Sequence, residues 1–148
     1  MTGENAVSIR PHQIIVLEHQ VNRLYAEAID VVPARRLCWA RPLLLVTGPS
    51  GEERDWLTPE AALELYPLQE GPDLLWPVDL FQPALDVEVL TLLGQAQALP
   101  PDSRRHQLSL QHLRHFIQQV WRAYPQLFAK QSSQSVNSPR SEKDLPNM

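Results

Sequence analysis

His112 and His115 stand three residues apart, and His106 lies six residues before the first of them. On a helix, that spacing aims two imidazoles in similar directions, which makes half of a metal site if a third and fourth ligand arrive. His106 falls on a different helical face, and the nearest acid is Asp102. The neighbours are Arg104, Arg105, Arg114 and Arg122, whose charges repel a cation. A solvated helix face explains this pattern better than a metal centre, and no metal or cofactor is expected. Cys38 is the only cysteine and sits between Leu37 and Trp39. A nucleophilic thiolate needs a neighbouring base and exposure. A cysteine in an apolar strand reads instead as a small buried hydrophobe. Gly48-Pro49-Ser50-Gly51 lacks the glycine spacing and the Lys-Ser/Thr ending of a phosphate loop, and no GxSxG, HExxH, DxDxDG or CxxC pattern occurs. No catalytic set is assembled by these residues, so a non-enzymatic chain is expected.

The basic side chains have a second use. Residues 1–99 hold 14 acids and 6 bases, whereas residues 100–148 hold 3 acids and 7 bases. An acidic body would therefore carry a basic helix. Arg104, Arg105, His112, Arg114, His115 and Arg122 are the candidate partner-binding residues, forming a basic edge toward an acidic surface of a larger complex. The plain alternative is a solvated surface whose charges neutralise the acidic body within one fold. The net charge of −4 argues against a general nucleic-acid binder.

These residues must be held by elements that the pattern of apolar residues and prolines defines. Arg36 to Val46 is the organising stretch. One parity (Leu37, Trp39, Arg41, Leu43, Leu45) alternates with another (Cys38, Ala40, Pro42, Leu44, Val46), and both are largely apolar. A strand of this kind is covered on both faces or rolled into a small barrel. Pro42 within it requires an edge position or a bulge. Residues 13–32 carry helical spacing at Ile14, Leu17, Val21, Leu24 and Ala28. They also alternate as a strand at Tyr25, Glu27, Ile29 and Val31. A hairpin of 23–32 with 36–46 is the favoured reading, turning at Pro33-Ala34-Arg35, with a short strand over 13–18.

Ten of the 14 prolines fall between Pro33 and Pro101. Proline clashes in helix interiors, so the region from Pro33 to Pro83 is expected to hold strands, turns and single helical turns. Thr58-Pro59-Glu60 resembles a helix start, with a strand through Leu63, Leu65 and Leu68 as the alternative. Asp86 to Leu93 reads either as a short helix capped by Asp86 and ended by Gly94, or as a closing strand. Residues 95–101 read as a linker. Residues 102–124 lack proline and glycine and are the clearest helix. Leu110, Leu113, Ile117, Val120, Trp121 and Tyr124 form its expected core stripe. Ser109 or Asp102 is its expected cap.

The fold class expected is α+β: a small antiparallel sheet or partly open barrel over about 22–93, with a C-terminal amphipathic helix over about 103–124 packed on it. One domain spans 13–130, between disordered tails at 1–12 and 131–148. The 148 residues suit a single core. No apolar run approaches the ~20 residues of a membrane span, no signal core is present, and one cysteine fits a reducing compartment. A cytoplasmic protein is expected.

The runs Leu37-Cys38-Trp39 with Arg41-Pro42-Leu43, and Asp73-Leu74-Leu75-Trp76-Pro77 with Leu80-Phe81, resemble small cyanobacterial proteins of accessory or assembly-factor type. The likeness covers about residues 22–94 and carries no functional residue with it. It implies a protein that serves a larger complex, such as photosynthetic or pilus machinery. The first functional expectation is thus a protein–protein interaction module docking on a larger assembly. The second is a small ligand-binding barrel or enzyme with an apolar pocket lined by Trp39 and Trp76. A third is an RNA-linked small barrel.

Overall fold

The computed structural model describes residues 9–48, 63–68, 71–99 and 103–129. The helix start expected at Thr58, the Gly48 turn beyond its first residue, Asp102, and the tails at 1–8 and 131–148 lie outside the described residues. Six strands form one antiparallel sheet: β1 (Ile14–His19), β2 (Asn22–Val32), β3 (Leu37–Thr47), β4 (Glu64–Pro67), β5 (Leu74–Pro77) and β6 (Gln82–Pro83). Helix α1 (Asp86–Gln97) and helix α2 (Ser103–Ala123) follow. The α+β class holds, with an open sheet rather than a closed barrel and a helix on each face.

The β1–β2 hairpin turns through Gln20 and Val21, with Gln20 at φ 57°. Backbone with positive φ matches the right-handed twist of the strands in so short a loop. The β2–β3 hairpin turns through a 3-10 turn at Pro33–Arg35 and closes on Arg36 at φ 53°, whose N–H donates to the Pro33 carbonyl.

Pairing in this hairpin slips twice. Tyr25 faces Leu44 while Ala26 faces Pro42, so Leu43 is an extra residue in β3. Ala28 faces Ala40 while Asp30 faces Trp39, so Ile29 is an extra residue in β2. Each bulge reverses which parity faces which side. Leu45 therefore shares a face with Ala40 and Cys38, and Leu24 with Val31.

The far edge of β3 is shared by two short strands. Strand β5 pairs with Leu37 to Ala40, and β4 with Leu44 to Thr47. Pro42 falls in the gap between them, where its missing N–H interrupts no ladder.

Two cores result. On one face Ile15, Leu17, Leu24, Leu45, Tyr66, Trp76 and Phe81 pack with Leu113, Phe116 and Val120 of α2. On the other, Val16, Tyr25, Leu44, Val46 and Leu65 pack with Val89, Leu92 and Ala96 of α1. Ile9 is buried in the α2-side core, and a turn over 10–13 carries the His12 N–H to the Ala28 carbonyl, so the described residues before β1 belong to the fold.

Several expectations are corrected. Residues 86–93 are helical, and the helix runs through Gly94 to Gln97, taking in the first part of the expected linker. Asp86 is not the cap: Leu85 holds the extended cap position, and Asp86 opens the first turn. An acid there still faces the positive end of the helix dipole. The inner face of α2 is set by Leu113, Phe116 and Val120, while Trp121 is 56% exposed and rests on Phe128. Trp121 lies a residue too far round the helix to reach the sheet, and Phe116, three residues after Leu113, fills that place instead.

Candidate functional site

The two helices do not cover the sheet equally. The α2-side core runs the length of β2 and β3, from Leu24 and Leu45 to Val31 and Cys38. The α1-side core ends near Leu43 and Leu44. Beyond it no described residue covers the α1-side face of the sheet. Trp39 pairs with Leu75, and Arg41 with Glu27, along this open half. Trp39 is 42% exposed and Leu75 50%.

Trp39 is held by its polar handle. Its indole Nε1–H donates to Asp73 Oδ2 at 2.9 Å. Arg41 Nε donates to the other oxygen of the same carboxylate at 3.2 Å. The hydrogen bonds from Arg41 and then Trp39 hold the Asp73 carboxyl below its ordinary range. His12 Nδ1 lies 3.2 Å from Glu27 Oε2 beside them. The open half of the sheet is thus a fixed indole and a leucine within paired charges. The sequence pattern had placed Trp39 in a strand of one parity with Leu45, yet it gave no sign that the bulge at Leu43 would set the indole on the face opposite Leu45 and outside the core.

Trp76 points the other way. It pairs with Cys38, is buried in the α2-side core, and packs edge-on against Phe128 with ring centroids 5.5 Å apart. Trp39 and Trp76 therefore lie on opposite faces of the sheet and cannot line one pocket.

The Cys38 thiol is fully buried, and desolvation pushes it up to about 11. A thiol held protonated at neutral pH is no nucleophile. Among the described residues, no group of three His, Cys, Asp or Glu side chains comes together to hold a metal.

The six basic candidates on α2 divide into groups. Arg104, His115 and Arg122 are exposed, and their spacing of 11 and 7 residues aligns them along the outermost line of the helix. Arg114 is exposed on one flank. Arg105 and His112 occupy the flank over β4: the His112 ring stacks on Tyr66 at 4.1 Å, and Arg105 is half-buried with its charge acting on the same phenol. His112 thus has an aromatic neighbour that its place in the sequence did not announce.

A third cluster, which sequence reasoning missed, lies under α1. The Glu88 carboxylate accepts hydrogen bonds from Tyr25 Oη–H and from Arg23, and Arg23 also reaches Glu18 at 2.7 Å. Burial first, then the bond to Glu88, raises the Tyr25 phenol well above its ordinary value. A carboxylate already bound by a phenol and a guanidinium, beneath a helix, has the character of a clamp rather than an acid–base site. Its residues are 63 positions apart, so no local spacing could signal it.

No described helix is long and apolar enough to cross a membrane. No protein-family model, curated protein or solved structure matches this chain.

Proposed function

We propose that this chain is a non-enzymatic interaction module that docks on a larger protein assembly through the open half of its sheet. The observation that carries the reading is Trp39, half-exposed and fixed by Asp73 beside exposed Leu75. Tryptophan and arginine dominate binding energy at protein interfaces, most effectively when already held in the bound geometry. The partner's chemistry follows from the surroundings. Asp73 binds the indole, Asp30 faces Trp39 in the ladder and Glu27 faces Arg41, an acidic neighbourhood that disfavours a phosphate backbone and so the RNA reading. Arg41 and His12 offset part of that charge, so the patch suits apolar side chains of a protein with a polar rim.

The outermost line of α2, with Arg104, His115 and Arg122, is a second contact surface on the opposite side of the sheet. It suits an acidic partner surface, to which such charges add on-rate more than packing.

The test is quantitative capture from native lysate by the immobilised chain, compared with its variants. Trp39→Ala and Leu75→Asp are expected to lower recovery of the specific partner at least tenfold, while melting stays close to that of the parent. Arg104→Glu with Arg122→Glu should reduce capture only at low salt. A partner recovered equally by the parent and by Trp39→Ala would overturn the sheet-face assignment.

A further inference from the structure

Helix α1 has a second face that no described residue covers. Val89, Leu92 and Ala96 face the sheet. Val87, Leu90, Thr91, Gly94 and Ala98 lie on the opposite side by helical spacing. Leu85, Val87 and Leu90 are 70%, 71% and 70% exposed. No charged residue interrupts that face, although the chain carries a net charge of −4. Exposed large apolar side chains gathered on one face mark an interaction surface.

Gly94 sharpens the point. It sits inside the helix, and a Cβ added there would meet nothing within 4 Å. Glycine in a helix interior is destabilising relative to alanine, and no neighbour within this chain requires it. A backbone approaching from outside would.

We infer that this face is a self-association surface, on which a second copy of the chain packs its own α1 antiparallel about a two-fold axis. The distribution of bulk selects this occupant. Val87 and Leu90 crowd the first half of the face, and Gly94 and Ala98 leave the second half low. Turned end for end, the high half of one helix meets the low half of the other, with Leu90 seated over the partner copy's glycine. Parallel packing would set leucine against leucine and leave a gap at the glycines. The uncharged seam also lets two acidic molecules meet without like charges in contact. It offers nothing to attract a charged partner. It also carries no lysine or arginine of the kind that flanks a membrane-surface helix.

Twelve residues give a helix of about 18 Å, and the surface it covers is below the ~800 Å² per partner of a stable dimer. The dimer is therefore a dynamic one, with a dissociation constant of about 10–100 μM.

Sedimentation equilibrium of the full chain from about 5 to 500 μM should show the average mass rising from one chain of 16.9 kDa toward two. Leu90→Glu and Gly94→Leu should each raise the dissociation constant at least tenfold, with a retained circular-dichroism spectrum and a melting temperature no lower than the parent's showing that the fold is intact. Direction is read by oxidative cross-linking. Thr91→Cys, near the two-fold axis, should yield a linked dimer, whereas Val87→Cys, near the end, should not. A monomer over the whole concentration range overturns the inference. So does a dimer that ignores Leu90→Glu, and Val87→Cys cross-linking as readily as Thr91→Cys overturns the antiparallel arrangement.

Discussion

Removal of the Glu88 carboxylate should loosen α1 from the sheet. The helix has no side-chain cap and no basic residue in its last turn, and it buries only Val89, Leu92 and Ala96. Its polar attachment is the pair of bonds that Glu88 accepts from Tyr25 and Arg23. In Glu88→Ala, the Tyr25 hydroxyl, on a residue with 0% exposure, loses its acceptor. An orphaned buried donor costs about 1–3 kcal/mol. Arg23 keeps Glu18 but loses its more buried partner; the Glu88 and Arg23 side chains are 12% and 18% exposed. Because Arg23 retains one carboxylate and some water, the lower end of the about 3–5 kcal/mol for breaking a buried pair applies. The total expected is about 4 kcal/mol or more. Tyr25→Phe removes one bond to a charged group and keeps the ring, for about 1.5 kcal/mol. In a double-mutant cycle the two changes should be coupled by about 1 kcal/mol or more, because they act on one bond. Urea denaturation followed by circular dichroism measures all three. A Glu88→Ala protein within about 0.5 kcal/mol of the parent, the scatter of ordinary surface substitutions, would show that the cluster does not hold the helix.

Phe116→Ala should cost about 3–5 kcal/mol in the same assay, since Phe116 is buried between α2 and the sheet. Trp121→Ala, more than half exposed and resting on Phe128, should cost about 1 kcal/mol or less; the opposite ranking would mean the helix is rotated from its described position. Gly94→Ala should raise the urea midpoint, by about 0.5–1 kcal/mol of stability in the dilute monomer, because its Cβ enters open space; a loss of stability would reveal an unseen contact. Stability should also fall at alkaline pH. The folded chain holds the Cys38 thiol up to about 11 and the Tyr66 phenol up to about 12, against ordinary values of 9.0 and 10.0, mainly through burial. Groups whose folded values are raised contribute fully below their unfolded values and lose that contribution as pH rises through the folded ones. The urea midpoint should therefore be flat from pH 7 to 8 and decline from about pH 9 upward; a flat profile to pH 11 would contradict the burial of these groups.

The elements of this fold were legible where one local signal dominated. Prolines excluded long helices from the middle of the chain, Pro42 demanded an irregular strand, and an uninterrupted apolar stripe marked α2. What local signals could not resolve was parity. Ile29 and Leu43 each add one residue to a strand, so the inward-facing set changes from even to odd partway along β2 and β3. Residues 13–32 carried two competing patterns, the strand pattern in their second half being broken by the change of parity at Ile29, and Arg36 to Val46 looked apolar on both sides because β3 changes parity at Leu43. The same effect hid Trp39. By composition it belonged to a core, and the shift of register set it on the uncovered side. Trp121 was misread for a related reason, since a helix stripe drawn from spacing alone has no fixed centre until the sheet beneath it selects Phe116.

The uneven cover of the sheet ties these points to function. Strand β3 is 11 residues long, and α1, at 12 residues and about 18 Å, crosses only one end of the sheet face it serves. The remaining length of β3 is stiffened on its far edge by β5 and backed by the α2-side core. An exposed indole on a free hairpin would lose side-chain and backbone freedom on every encounter. On this ladder Trp39 is already ordered by its neighbours in the sheet and by Asp73, so that cost is met in folding rather than in binding. Under the proposed docking role, rigid placement makes the Asp73 carboxylate, itself fixed by Arg41, as much part of the contact surface as the ring. Asp73→Ala should then keep the fold, free the indole, and weaken partner capture nearly as much as Trp39→Ala, with the Trp39 side chain's fluorescence anisotropy falling in a variant whose other tryptophans are replaced by phenylalanine. Full capture by Asp73→Ala would show that the exposed surface alone, without its ordering, accounts for recognition.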